Sequence, residues 1–474
     1  MPRRRVPSPS LELTEREMRE MVDRSMDRIV GFIGDLETAP TVRNDGARRA
    51  ARSLRESFPE RGVPFRRLLG QLFDRVLPYG LNTAGPGYLA YIPGGGLFHA
   101  AVADLIADAT NRYVGIWMAA PGLVQVETNV IRWFCEMVGY PPEAGGVLTT
   151  GGSLANLGAI VAARTARLPP AFLGGRIYVS ALVHHSVTKS ARVAGFGPEA
   201  VRVVPVDDRF RMRVDELTSL IAEDRAMGFL PAMVVASAGT TATGAVDPLG
   251  DVADLCVREG LWLHVDAAYG GFFALTERGK SALRGIERAD SVTLDPHKGL
   301  FLPYGTGCLL VRSLATLRAA NASSASYLPA SQTDPECWDF ADLGPELSRD
   351  ARGLRVWLPL KMHGASGFRA AIDEKLDLAR VAADAISRLP ALELVAPPEL
   401  SLLAFRVVDP DPAEGDRRTR RLGARVNARR RVLLTGVEID GRYLLRVCVL
   451  SFRTHAAQIS AFIEDLEGGL AANA

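Results

Sequence analysis

The chain has 474 residues, of which 47% are hydrophobic and 23% charged, and its formal net charge is +2. That length exceeds one simple core and implies two or more domains of an ordinary globular protein. A charge so near balance argues against nucleic acid or a membrane surface as partner.

The five cysteines (Cys135, Cys256, Cys308, Cys337, Cys448) lie far apart, with no CxxC pair. This spacing points to reduced thiols in a cytoplasmic protein rather than to disulfides or zinc. The basic start, Met-Pro-Arg-Arg-Arg, leads into no apolar stretch, so neither a signal peptide nor a membrane span is expected.

In chain order, Thr14 with Glu17 forms a capping-box pattern. Met18, Met21, Val22, Ser25, Ile29 and Phe32 then keep helical spacing, and a second helical run covers Phe65 to Val76. Residues 1–84 thus form a helical segment without a domain's worth of core, expected to pack on the main body or on a second subunit. Residues 85–367 alternate short apolar runs with helical ones. Strands are predicted at 145–148, 176–180, 201–206, 233–238, 262–265, 292–294 and 308–311. Strands separated by helices imply an α/β domain with a mostly parallel sheet covered on both faces. Residues 368–474 read as a smaller α/β domain. It begins with a helix at 368–389 and has strands at 392–395, 402–407, 432–435 and 443–449. The arginines of 417–431 read as a solvated helix face, since Leu422 and Val426 supply a buried stripe.

Each polar cluster falls just past a strand, where open α/β sheets place their ligands. The segment Ser291–Gly307 carries Asp295-Pro-His-Lys298 after its strand. The chain has five lysines against fifty-one arginines. A lysine amine can form an imine with an aldehyde and an arginine cannot; alone, the segment fits a solvated turn lysine equally well. Thr149-Thr-Gly-Gly-Ser-Leu-Ala-Asn156 opens a helix after a strand, with free backbone N–H groups suited to a phosphate. His264-Val-Asp-Ala-Ala-Tyr269 ends a strand on Asp266, as partner for a protonated ring nitrogen or as a structural carboxylate. His184 follows another strand, and Gly239-Thr240-Thr241 a fourth.

Together, in order and spacing, these motifs resemble the pyridoxal-phosphate-dependent amino-acid decarboxylases of the group containing the aromatic-amino-acid and glutamate enzymes. The resemblance spans about residues 14–466 and implies a fold-type-I enzyme using pyridoxal 5'-phosphate to decarboxylate a small-molecule L-amino acid. It implies that Lys298 holds the cofactor, that Asp266 keeps its ring nitrogen protonated, and that His184 stacks on the ring. Gly152 and Ser153, with Asp295 nearby, would hold the phosphate; Thr240 and Ala268 would contact the ring, and His297 would support the lysine. It also implies a homodimer with active sites at the interface.

The resemblance departs at the loop that carries a protonating tyrosine in the family. Counting back from Arg352 puts that place on Phe340, and residues 331–343 hold no tyrosine. A phenylalanine there implies decarboxylation with oxidative deamination to an aldehyde, unless Tyr304, Tyr327 or His99 supplies the proton. A transaminase or a non-catalytic cofactor-binding protein are the more distant alternatives. Tyr88, Tyr91 and Trp117 are candidates for an aromatic substrate pocket or for core.

Overall fold

The computed structural model describes residues 11–323, 334 and 336–471. The chain divides into two compact units, one ending at Gly87 and one beginning at Tyr88.

In the first unit, helix α1 (Glu15–Gly34) starts with the expected capping box. Glu17 N donates to Thr14 Oγ1 at 3.3 Å, and Thr14 N donates to the Glu17 carboxylate at 2.8 Å. Helix α1 buries none of its residues, and its stripe of Met18, Val22, Val30 and Phe32 stays exposed. A two-residue ladder, Val42–Arg43 against Gly80–Leu81, closes this unit.

The second unit is built around a seven-stranded sheet. Helices α2 (Phe98–Thr110) and α3 (Pro121–Met137) precede its first strand, β1 (Gly145–Thr149). Helix α4 (Gly152–Arg167), β2 (Gly175–Ser180), α5 (His185–Val193), β3 (Val201–Val204) and α6 (Val214–Ala226) follow. Next come β4 (Leu230–Ser237), α7 (Leu249–Glu259), β5 (Trp262–Asp266), β6 (Ser291–Leu294) and β7 (Gly307–Val311). The spatial order is β1-β7-β6-β5-β4-β2-β3. Strands β1, β2, β5, β6 and β7 are buried along their whole length, which is why they read as continuous apolar runs.

Strands β2 to β6 pair in parallel, but β7 runs antiparallel to both β6 and β1. A parallel return needs a crossover helix. The connection from β6 to β7 holds only the single turn Pro296–Gly299, so the chain doubles back. That short connection is the segment carrying Lys298.

Helix α8 (Arg352–Ser387) is longer than the helix expected at 368–389 and is broken at Gly364, whose φ of 65° is left-handed. Its first half crosses α3 at Gly353. A methyl group there would lie 2.6 Å from Glu127 Cα, so Gly353→Ala is expected to cost about 2 kcal/mol. A lower midpoint in thermal unfolding would register this.

A second, four-stranded antiparallel sheet has the order β8-β9-β11-β10. It comprises β8 (Leu392–Leu394), β9 (Leu402–Val407), β10 (Thr435–Ile439) and β11 (Arg442–Cys448). Helices α9 (Pro412–Ala428) and α10 (Ala456–Ala471) pack Leu422, Val426, Ile459 and Phe462 against it. Strand β10 starts at Thr435, later than the run 432–435 suggested. Residues Val432 to Leu434 are buried as expected, but their backbone is engaged elsewhere. Leu89 N donates to Leu433 O, and the Asn427 amide holds both backbone groups of Leu434.

Candidate active site

The parallel strands all end on one edge of the large sheet, and a cavity of about 300 Å³ opens there. Its lining brings together Gly152, Ser153, His184, Thr240, Asp266, Ala268, Asp295, His297 and Lys298. All nine residues that the resemblance assigns to the cofactor meet in this one place.

Lys298 sits on the turn after β6 and donates to Asp295 Oδ2 at 2.9 Å. Burial alone would lower its pKa, but the carboxylates of Asp295 and Asp266 outweigh burial and raise it. Asp295 Oδ1 is buried without a partner. His297 donates from Nδ1 to Thr306 O at 2.6 Å, which leaves Nε2 facing Asp295 at 3.6 Å. Thr306 Oγ1 is held in turn by Arg355 at 2.8 Å.

Asp266 is the last residue of β5. Its Oδ1 accepts from Ala268 N at 3.2 Å and its Oδ2 from Asn156 Nδ2 at 2.9 Å. His184 caps α5, with Nδ1 accepting from Ser186 N at 3.3 Å. Burial lowers the pKa of His184, favouring the neutral ring. Thr240 is buried and shares a hydroxyl hydrogen bond of 2.9 Å with Thr243.

Sequence reasoning missed Asn156 and Ser186 as contributors to this lining, while Thr241, quoted with Thr240, lines it as well. Asn156 stood in a quoted motif, but only folding shows that its amide bonds four side chains from three elements, α5, β5 and β6. It also missed the clamp on Tyr269, whose Oη lies 3.0 Å from Ser401 Oγ and accepts from Ser401 N at 3.0 Å. This links the end of β5 to the start of β9.

Other expectations fare differently. Phe340 is 1% exposed and lies beside Val147, Leu154, Leu309 and Arg349, outside the cavity lining. The Arg349 guanidinium sits 4.7 Å from its ring, and Trp338 packs edge-on. Arg349 is itself buried, paired with Glu127 at 2.7 Å and bonded to Leu148 O at 3.1 Å. The phenyl group is a core side chain held by its own subunit. Tyr327 lies outside the described residues. His99 is engaged with His363, Nε2 to Nε2 at 3.0 Å. Tyr304 is exposed, its ring 5.6 Å from that of His297, and is not among the residues lining the cavity.

Tyr88 is buried with Ala90 and Leu433, Trp117 packs against the main core, and Tyr91 is exposed. The arginines of α9 and its flank pair with acids. Arg417 and Arg421 bond Glu414, Arg418 bonds Asp409, and Arg429 and Arg431 bond Asp465. Among the described residues no helix is long and apolar enough to cross a membrane.

The cavity fits a phosphorylated pyridine aldehyde. Its floor offers an amine, a strand-end carboxylate and an imidazole, and its wall is the N-terminus of α4. There, a Cβ on Gly152 would lie 3.1 Å from Asp295 Oδ2 and 3.2 Å from Ala268 Cβ. Gly152→Ala is therefore expected to weaken cofactor binding about tenfold, or about 1.4 kcal/mol, as measured by titrating cofactor-free protein and following fluorescence.

Comparison with known proteins accords with this chemistry. Residues 48–408 match the family described as the pyridoxal-dependent decarboxylase conserved domain. An aromatic-L-amino-acid decarboxylase of Bacillus atrophaeus is 35% identical over 451 residues, 94% of either chain. An L-2,4-diaminobutyrate decarboxylase of Rhizobium meliloti is 32% identical, over 93% of this chain and 90% of that one. Among solved structures, Oryza sativa TDC with PLP and tryptamine superposes with a TM-score of 0.94 at 27% identity, covering 98% of this chain and all of that one. On these grounds the chain belongs to the pyridoxal-dependent decarboxylases, carboxy-lyases of amino-acid metabolism with fold type I, and its cofactor is pyridoxal 5'-phosphate.

Proposed function

We propose that the chain converts an aromatic L-amino acid to its amine and CO2, as a cytoplasmic homodimer. The observation that carries the reaction is the convergence of Lys298, Asp266 and His184 on one cavity beside a helix N-terminus. The aromatic preference is supported by the Bacillus atrophaeus and Oryza sativa proteins.

In this reading Lys298 is the covalent attachment point, Asp266 the partner of the ring nitrogen, and His184 the group over the ring face. Gly152 and Ser153 hold the phosphate through the N-terminus of α4, while Thr240 and Ala268 flank the ring. When bound, the cofactor supplies the sink for the electrons left behind by CO2. The chain's own residues set up that step. Asp266, receiving hydrogen bonds from Asn156 and Ala268, is kept as an acceptor aimed into the cavity. Asp295 holds the Lys298 ammonium until the lysine is engaged, and Thr306 orients His297. For the proton returned to the substrate carbon our candidate is Tyr304, whose ring lies 5.6 Å from that of His297.

The dimer is supported by α1, a 20-residue amphipathic helix with no buried residue. We assign residues 1–84 to dimer packing, 85–367 to cofactor binding and 368–474 to the smaller domain. The cytoplasm is supported by five free cysteines.

The test is a panel of amino acids assayed for CO2, amine, ammonia and peroxide. Amine with CO2 and no ammonia from an aromatic substrate is expected. Turnover confined to acidic or diamino acids would overturn the substrate class. Aldehyde with ammonia and peroxide would replace the reaction by oxidative deamination, a reading favoured by the absence of a tyrosine from residues 331–343. Sedimentation at the mass of a single chain would overturn the dimer.

A further inference from the structure

The polar groups behind the cavity form one chain of hydrogen bonds whose direction is determined by Asp266. A carboxylate only accepts, so the atom of Asn156 that faces Asp266 Oδ2 at 2.9 Å must be Nδ2. The second Nδ2 proton reaches Ser186 Oγ at 3.0 Å. On the other side, Asn156 Oδ1 accepts from Thr293 Oγ1 at 2.7 Å and faces His264 Nε2 at 3.0 Å. His264 therefore carries its proton on Nε2. Burial holds that ring neutral, with its pKa lowered to about 4. Its Nδ1 is then the acceptor for Ser291 Oγ at 2.8 Å, and Ser291 Oγ accepts from Trp262 Nε1 at 2.8 Å. Every donor has an acceptor, and turning the Asn156 amide over would set oxygen against carboxylate.

The chain ends on His184. Ser186 Oγ already accepts from Asn156, so its own proton goes to His184 Nδ1 at 2.7 Å. The backbone N–H of Ser186 points at the same nitrogen at 3.3 Å. With Nδ1 committed as an acceptor, a neutral ring holds its proton on Nε2.

We propose that Asn156 is a positioning residue that fixes the tautomer of His184, so that His184 offers Nε2–H to the cavity it lines. The hydrogen-bond direction set at the Asp266 carboxylate is thereby relayed through Asn156 and Ser186 to the donor character of His184. A neutral ring in this tautomer donates one hydrogen bond and cannot take a proton at Nε2. It suits an acceptor such as the substrate carboxylate and is unsuited to acting as a base. The consequence for the reaction rests on the decarboxylase reading above, but the tautomer does not.

The experiment is solid-state nitrogen NMR on protein labelled with 15N-histidine, with and without cofactor, His184 being assigned by its loss in His184→Gln. An unprotonated Nδ1 and a protonated Nε2 are expected in the cofactor-free wild type. Asn156→Leu is expected to populate the second tautomer and to raise KM about tenfold, with a smaller change in kcat and the bound-cofactor absorbance retained. Ser186→Ala, which removes the link between Asn156 and His184, is expected to move both readouts the same way should Asn156→Leu not fold. A wild-type ring protonated at Nδ1 would overturn the proposal. So would variants that bind cofactor yet leave tautomer and KM unchanged. The correct tautomer in a protein that decarboxylates nothing would instead overturn the reaction.

Discussion

Replacing Lys298 with alanine is expected to remove the visible absorbance of bound cofactor and to cut CO2 release by roughly four orders of magnitude or more. The chain's other lysines offer no substitute. Lys375 is buried, donating to Thr454 O and Glu374, and Lys189, Lys280 and Lys361 are not among the residues lining the cavity. Arginine at position 298 should fail as completely, since a guanidinium supplies charge without a nucleophilic amine. Retained absorbance together with retained turnover in either variant would show that the attachment point lies elsewhere. The measurements are an absorbance spectrum of the purified protein and captured CO2 from saturating amino acid.

The second large effect belongs to Asp266. Asp266→Asn keeps the size of the side chain, and its amide oxygen can still accept from Asn156. It loses the charge that, in the proposed role of Asp266, would keep a pyridine nitrogen protonated. We expect cofactor still to bind while kcat falls by roughly three orders of magnitude, on the scale of losing a group that stabilises developing charge in a closed site. Asp266→Ala should be worse in a different way. It leaves one of the two Asn156 Nδ2 protons buried without its acceptor, costing about 1–3 kcal/mol of stability, visible as a lower unfolding midpoint. A wild-type kcat in Asp266→Asn would remove the carboxylate from the chemistry.

Much of this architecture is legible in the sequence because it is local. Strands such as Trp262–Asp266 are buried on both faces and announce themselves as apolar runs, and glycines mark the turns that follow. The motifs at the strand ends are visible because imine chemistry and phosphate binding each demand particular residue types. Direction of pairing was less legible. Residues 308–311 read as one more strand of a parallel set. Only the shortness of the Pro296–Gly299 turn, weighed against the space a crossover needs, reveals that the strand runs back.

The start of β10 was missed for a related reason. The apolar run from Val432 is buried, but hydrophobicity does not say that Leu433 bonds Leu89 instead of a sheet partner. Phe340 shows the same limit at the site. Counting along the chain aligned it with a catalytic position, while its burial under Arg349 is a tertiary fact. Asn156 is the most instructive omission. Its importance lies in bonding Asp266, Ser186, His264 and Thr293 at once, a coincidence in space with no spacing rule in sequence.

The clamp between Tyr269 and Ser401 has a consequence for anyone recombining members of this family. Exchanging residues beyond α8 for the matching stretch of a homologue would look like a clean swap of a peripheral module. It would in fact replace the residue that grips the phenol three positions after Asp266, and with it the register of the strand end that aims the carboxylate. Such hybrids should retain a folded large sheet yet hold their cofactor in a slackened seat, unless position 401 of the donor preserves a hydroxyl. The junction that matters for engineering is therefore a single pair of oxygen atoms 3.0 Å apart, far from any boundary drawn along the chain.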